Sequence, residues 1–109
     1  MNLRRALVLA ATAAAFAVPA SSASAATILV KDDLFSPKVK TYKKNTLVTF
    51  KWVGKSPHDV IARRSGKRIW TIGVRMSGKV KKRFTKTGTY KLICSIHAPD
   101  MSATIKVVR

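Results

Sequence analysis

The chain contains no glutamate and only one cysteine, Cys94, among its 109 residues. Its acids are four aspartates, against 22 lysines and arginines, so the formal net charge is +18. A single cysteine cannot form a disulfide within the chain. A small fold without a disulfide must be stabilised by good packing or by another cross-link. The length excludes TIM barrels and doubly wound dehydrogenases, and a hydrophobic content of 47% argues against disorder. The aspartates are Asp32, Asp33, Asp59 and Asp100.

The chain also lacks a hydrophobic run long enough to span a bilayer. Arg4 and Arg5 precede an uncharged run of 13 residues, 6–18, whereas a transmembrane helix needs about 20 residues. Small residues follow and end in Ala23-Ser24-Ala25. A basic start, an apolar middle and an A-x-A end are typical of a secretory signal peptide.

This pattern predicts two parts of the chain. Residues 1–25 are interpreted as a signal peptide, cleaved after Ala25 or Ala26, and residues 26–109 as one exported domain. The domain keeps 20 of the basic residues and all four aspartates, so its net charge is +16. We expect a periplasmic, extracellular or envelope-associated protein with no transmembrane segment after cleavage.

Residues 26–109 lack any long segment with a helical hydrophobic period. Short runs rich in β-branched and aromatic residues alternate with turn signals instead. Thr46–Val53 places Val48, Phe50 and Trp52 on one face, as a half-buried strand does. Many short strands with turn signals every 8–12 residues indicate an antiparallel sandwich or barrel. We predict an all-β Greek-key β-sandwich of seven or eight strands.

A metal site is indicated by residues 94–101. Cys94, His97 and Met101 offer a thiol, an imidazole and a thioether within eight residues. Thiolate and thioether ligands favour copper, and imidazole suits it too. The other histidine of the chain, His58, lies 36 residues before the cysteine in a turn-like segment. Two histidines, one cysteine and one methionine match the His₂Cys site with a weak axial methionine; Met76 is the competing thioether.

These residues resemble the cupredoxin family of plastocyanin, amicyanin and pseudoazurin. The resemblance rests on an early histidine and on Gly-Thr-Tyr-x-x-x-Cys-x-x-His-x-x-x-Met before a final strand. It implies a type 1 copper protein holding one copper ion, Cu(I) or Cu(II), with His58, Cys94 and His97 as equatorial ligands and Met101 as axial ligand. Asp59 stands where the family often has an asparagine that ties the two ligand loops together. An acid so near the metal favours the oxidised ion unless it is neutralised.

The resemblance implies an exported one-electron carrier. The alternatives are a periplasmic or extracellular copper-binding or copper-handling protein without electron transfer, and a basic surface protein that never carries copper. An enzyme is disfavoured, because two histidines are too few for a multicopper oxidase. The charge predicts an acidic redox partner or an anionic envelope surface, whereas nucleic acid is not expected. We expect a monomer that docks briefly through an apolar rim of Ile96, Ala98 and Pro99.

Overall fold

The computed structural model describes residues 26–109. The predicted signal peptide lies outside the described residues, so the division of the chain at Ala25 stays a prediction. Within the described part, no helix has the length and hydropathy needed to cross a bilayer. This part forms nine strands: β1 (Ala26–Lys31), β2 (Leu34–Ser36), β3 (Val39–Lys43), β4 (Thr46–Trp52), β5 (His58–Arg64), β6 (Lys67–Arg75), β7 (Gly78–Phe84), β8 (Gly88–Ile93) and β9 (Ser102–Val108).

The strands form two sheets that pack face to face. One sheet has four strands in the order β2-β1-β4-β7, and the other has five in the order β3-β9-β8-β5-β6. The chain changes sheet between most consecutive strands, and only the pairs β1–β2, β5–β6 and β8–β9 remain within one sheet. Repeated crossing between two layers is the connectivity of a Greek-key sandwich. The predicted all-β sandwich is therefore confirmed, with nine strands instead of the predicted seven or eight.

Both sheets are mixed, whereas the turn spacing predicted antiparallel pairing. β1 runs parallel to β4, and β9 runs parallel to β3. Neither pair is joined by a tight turn, and only a tight turn forces neighbours to be antiparallel. Their relative direction therefore follows from the order in which the strands join each sheet, which local sequence does not specify.

The core lies between the sheets and is built from the alternating faces of the strands. In β4, Val48, Phe50 and Trp52 are buried, as the alternation predicted. Aromatic rings dominate the half of the core that lies away from the ligand loop. There Phe84 packs edge-on against Tyr90 and Trp70, with distances between ring centroids of 5.0 Å and 5.9 Å. The buried cluster also includes Cys94 and Met101, so the ligand loop is part of the core.

Two strands differ from the sequence-based prediction. The three-residue β2 was not predicted, because Leu34, Phe35 and Ser36 are too few to show an alternation. By sequence alone, Arg68–Thr71 is a short apolar strand around Ile69 and Trp70, whereas in the structure it is part of the nine-residue β6. β6 is an edge strand of its sheet and buries only Ile72 fully. Its sequence therefore carries little of the hydrophobic pattern from which its length can be predicted.

The strand directions give the sandwich two distinct ends. The site end consists of the loops 32–33, 53–57, 76–77 and 94–101. The far end consists of the turns 44–45, 65–66 and 85–87 together with Arg109. At the far end, Ser65 and Gly66 have φ of 53° and 78°, as a two-residue type I′ hairpin requires. The Lys44 N–H donates to the Val108 carbonyl at 2.6 Å, which joins the first turn to the C-terminal strand.

Replacing a central ring should destabilise the whole sandwich. Phe84 is 1% exposed, so Phe84→Ala should lower the free energy of unfolding by about 3–5 kcal/mol, through lost transfer energy and a cavity. Val39→Ala is the control, because Val39 is 68% exposed and should change stability by less than about 0.5 kcal/mol. Urea unfolding of both variants measures the difference. Equal midpoints would contradict a core centred on this ring.

Candidate metal centre

The predicted ligands come from the ends of neighbouring strands. His58 is the first residue of β5, and Cys94 directly follows β8. These strands are paired antiparallel, with Ile61 opposite Ile93. The sheet therefore brings together two residues that are 36 positions apart in the chain. His97 lies in the turn after Cys94, and Met101 directly precedes β9.

The two histidines present the same ring nitrogen to the cysteine. The Cys94 Sγ lies 3.8 Å from Nδ1 of His58 and 3.8 Å from Nδ1 of His97. The three ligand atoms all lie within 4.8 Å of one another. A metal ion in a trigonal plane, with bonds of about 2.1 Å to nitrogen and about 2.3 Å to sulfur, separates these atoms by about 3.8 Å. The three side chains therefore fit one first-row metal ion.

The predicted ligands differ in how much of each side chain is exposed to solvent. His58 and Cys94 are fully buried, so their polar atoms need a partner in the interior. The side chain of His97 is 28% exposed, and Ile96 beside it is 48% exposed. Among the described residues, His97 is therefore the one of these three side chains that solvent reaches, and the core covers the other two.

The ligand loop is folded back on itself by its own backbone. The Cys94 N–H donates to the Met101 carbonyl at 3.1 Å, and the Met101 N–H donates to the His97 carbonyl at 3.3 Å. Met101 is fully buried in the same cluster as Cys94, whereas Met76 is 57% exposed. The loop therefore holds the thioether of Met101 inside the protein, and the competing methionine faces solvent.

Asp59 joins the two segments that carry the ligands. Its carboxylate accepts hydrogen bonds from the Ser95 N–H at 2.7 Å and from the Ser95 hydroxyl at 2.6 Å. This is the tie that the resemblance assigned to an asparagine at this position. Ser95 directly follows Cys94, so the bonds keep the cysteine next to β5. They also supply the carboxylate with donors from within the site.

Asp32 holds the other side of His58, and sequence analysis did not assign it to the site. Its Oδ1 lies 3.0 Å from the His58 Nε2, and its carboxylate accepts the backbone N–H groups of Lys55 and Ser56. Those N–H groups and His58 lower the pKa of Asp32 from 3.8 to about 2. With a proton on Nε2, Nδ1 keeps a lone pair directed at the metal position. A Cβ on Gly54 would meet this carboxylate at 2.2 Å, so the loop needs glycine there.

Asp33 lies behind the second histidine, at a longer distance. Its Oδ1 lies 3.4 Å from the His97 Nε2, and its side chain is 76% exposed. Each histidine thus has a carboxylate behind its metal-facing nitrogen, a pairing that orients histidine ligands in metal sites. One feature of the sequence could have identified these two residues as part of the site. Acidic residues are scarce in the chain, and Asp32 and Asp33 are two of its four aspartates.

Several solved structures share this fold. A reduced Cu(I) form of an amicyanin variant matches with a TM-score of 0.66 and 18% identity, over 76% of this chain and 81% of its own. A purple cupredoxin from Nitrosopumilus maritimus matches with a TM-score of 0.65 and 21% identity, over 75% of this chain and 98% of its own. An oxidised amicyanin variant gives 0.66 and 20% over 76% and 81%. The sequence matches no family profile and no curated protein significantly.

These similarities establish the architecture as the cupredoxin fold. They agree with the resemblance carried by the Cys-x-x-His-x-x-x-Met motif. On this fold, the group of His58, Cys94 and His97 fits a type 1 copper site.

Removing the charge of Asp32 should loosen the His58 side of the site. Asp32→Asn should lower the urea midpoint of the metal-free protein, because the carboxylate accepts three hydrogen bonds that an amide satisfies less well. The lowered pKa means that the contribution is complete above pH 3.8 and is lost as the pH falls to about 2. The difference from wild type should therefore be full at neutral pH and shrink in strong acid.

Asp100→Asn is the matched control for this experiment, since Asp100 is exposed in the ligand loop. It should leave the midpoint unchanged at neutral pH. Equal midpoints for wild type and Asp32→Asn at neutral pH would show that Asp32 does not hold the loop.

Proposed function

We propose that this protein is an exported type 1 (blue) copper protein that carries single electrons. One observation carries the proposal: a fully buried cysteine sulfur with two histidine Nδ1 atoms at 3.8 Å each, on a cupredoxin fold. Two imidazoles and one thiolate, with a buried thioether in the same cluster, are the ligand set of blue-copper sites. When bound, the copper supplies a single redox couple, Cu(II)/Cu(I). His58, Cys94 and His97 would hold the ion, and the buried thioether of Met101 would be a fourth, weaker ligand.

The residues around the site support electron transfer, because each ligand is held independently of the metal. His58 is fixed by Asp32 at Nε2 and by the Trp52 indole N–H, which donates to its carbonyl at 3.0 Å. Cys94 is fixed by the core and by the Asp59–Ser95 tie. Ligands that stay in place when the charge of the site changes keep the reorganisation small. This rigidity is unfavourable for copper handling, because releasing the ion requires the ligands to move apart.

The exposed edge of His97 is the proposed path for the electron. It is the only one of the three equatorial ligands that reaches solvent in the described residues. Ile96, Ala98 and Pro99 are exposed around it and form the apolar rim expected for brief docking. Transient redox partners use small interfaces, below about 1,200 Å². An acidic redox protein is the proposed partner, since the net charge of +16 attracts it over long range.

Copper loading tests the metal and the cysteine together. The processed protein should bind one equivalent of Cu(II) and show an intense visible band from thiolate-to-copper charge transfer. Cys94→Ser should abolish the band, since serine offers no thiolate. Visible absorption and electron paramagnetic resonance measure it. A band that survives in Cys94→Ser, or a wild type that binds zinc but not copper, would refute the assignment.

The axial position is tested by two methionine variants. Met101→Gln should keep copper bound but lower the reduction potential, because a harder oxygen donor stabilises the oxidised ion. Met76→Gln is the control and should leave the potential unchanged, since Met76 is 57% exposed. Voltammetry compares the three proteins. An unchanged potential in Met101→Gln would show that the axial assignment is wrong, and a shift in Met76→Gln would then assign the thioether to Met76.

A further inference from the structure

The acidic side chains of the described domain are segregated along its length, whereas its basic residues occur throughout. All four aspartates belong to the site end. Asp32 and Asp33 contact the two histidines, and Asp59 binds Ser95. Asp100 lies in the ligand loop. The far end therefore contains no carboxylate side chain at all.

Basic residues crowd the far end from every segment that meets there. Most of them are exposed, and Arg64 is half-buried. The Arg64 guanidinium donates to the Thr87 carbonyl at 2.9 Å, and the Arg83 guanidinium donates to the Asn45 carbonyl at 2.8 Å. Among residues 26–109, no carboxylate side chain lies within 4.0 Å of a lysine or arginine. The cations of the far end are Lys43, Lys44, Arg64, Lys67, Arg83, Lys86 and Arg109.

Two of these cations face each other across a strand pair. Arg64 and Lys67 are directly opposite in the β5–β6 hairpin, at the turn formed by Ser65 and Gly66. Like charges directly opposite each other destabilise a sheet. No carboxylate side chain of the described residues lies within 4.0 Å of either cation, so an external anion would be favoured at this turn. A pair of this kind also occurs at Lys51 and Lys79, so the pairing adds to the density of cations at the far end and does not by itself distinguish that end.

We infer that the far end binds an anionic phospholipid surface. Its cations come from three turns and the chain end, and they are held in one region by hydrogen bonds that join the turns. Cations that approach an array of headgroups together add their attractions, provided that all lie within a Debye length of the surface. A flat anionic surface meets this condition for an entire end of the molecule. A small anion would meet only one or two of the side chains.

The distance to the metal centre favours lipid over an acidic redox protein at this end. Arg64 lies six residues along β5 from His58, which corresponds to roughly 20 Å of strand. Electron transfer falls steeply with distance, so a redox partner gains nothing by docking there. A protein bound to lipid through its far end would instead point the exposed edge of His97 away from the membrane. This orientation rests on the proposed copper function, whereas the lipid binding itself does not.

Two triple variants of equal charge test the surface. The far-end variant combines Lys44→Gln, Lys67→Gln and Lys86→Gln. The control combines Lys51→Gln, Lys79→Gln and Lys81→Gln, which are exposed on the outer face of the four-stranded sheet. All proteins are purified after export, with identical processed N-termini confirmed by mass. Binding is measured by co-sedimentation with mixed phosphatidylglycerol and phosphatidylcholine vesicles, and with phosphatidylcholine vesicles alone.

Wild type should bind only the vesicles that contain phosphatidylglycerol. The far-end variant should bind about a hundredfold more weakly, since each cation at an anionic surface contributes about fivefold. The control should lose less than tenfold. Equal losses in the two variants, or undiminished binding of the far-end variant, would overturn the inference. So would displacement by inorganic phosphate beyond the effect of sodium chloride at equal ionic strength, which would indicate a discrete anion site.

The copper proposal and the lipid inference fail separately in this design. Cys94→Ser, which cannot form the blue site, should bind vesicles as wild type does. Vesicle binding that disappears in this variant would overturn the inference. A third outcome would also overturn the lipid inference. If wild type does not bind vesicles, and an acidic redox protein binds wild type but not the far-end variant, the far end is a docking surface for a protein partner.

Discussion

The start of β5 must stay beside the end of β8, because this contact brings the His58 Nδ1 to the Cys94 Sγ. Backbone pairing of the two strands ends at Ile61 and Ile93, short of the ligands. Beyond this point, the two segments are joined by the side chain of Asp59, which accepts two hydrogen bonds from Ser95. A hydrogen bond to a charged acceptor is worth more than a neutral one. The continuity of the sheet into the metal centre thus depends on one buried carboxylate.

The scarcity of acid makes its placement informative. In a domain with 20 basic residues and four aspartates, three of the aspartates orient ligands or the loops that carry them. Among the described residues, the lysines and arginines have no carboxylate side chain within 4.0 Å, so like charges repel each other across paired strands. The few acidic side chains are thus concentrated around the predicted ligands, and the positive charge of the far end is not balanced by acidic side chains.

The fold class was predictable because burial alternates with period two in strands such as β4. What failed was the prediction of strands that bury little. β2 has three residues, and β6 buries only Ile72 fully. The length of neither strand can therefore be predicted from a hydrophobic pattern in the sequence. The parallel pairs β1–β4 and β3–β9 were also missed. Their direction depends on how the layers are assembled, and residues near each other in sequence do not encode it.

For the site, the amino-acid sequence was enough to predict the kinds of ligand and their order: one histidine early, then cysteine, histidine and methionine in one loop. Histidine and cysteine are rare in this chain, and three of the four residues lie within eight positions, so the pattern indicates copper. The structure was needed to show which nitrogen of each histidine faces the sulfur, that Met101 is buried while Met76 is exposed, and that Asp32 and Asp33 lie behind the two rings. These features depend on distances between separate strands and loops, which residues near each other in sequence do not specify. Asp32 and His58 are 26 residues apart and meet only when β1 and β4 end beside each other.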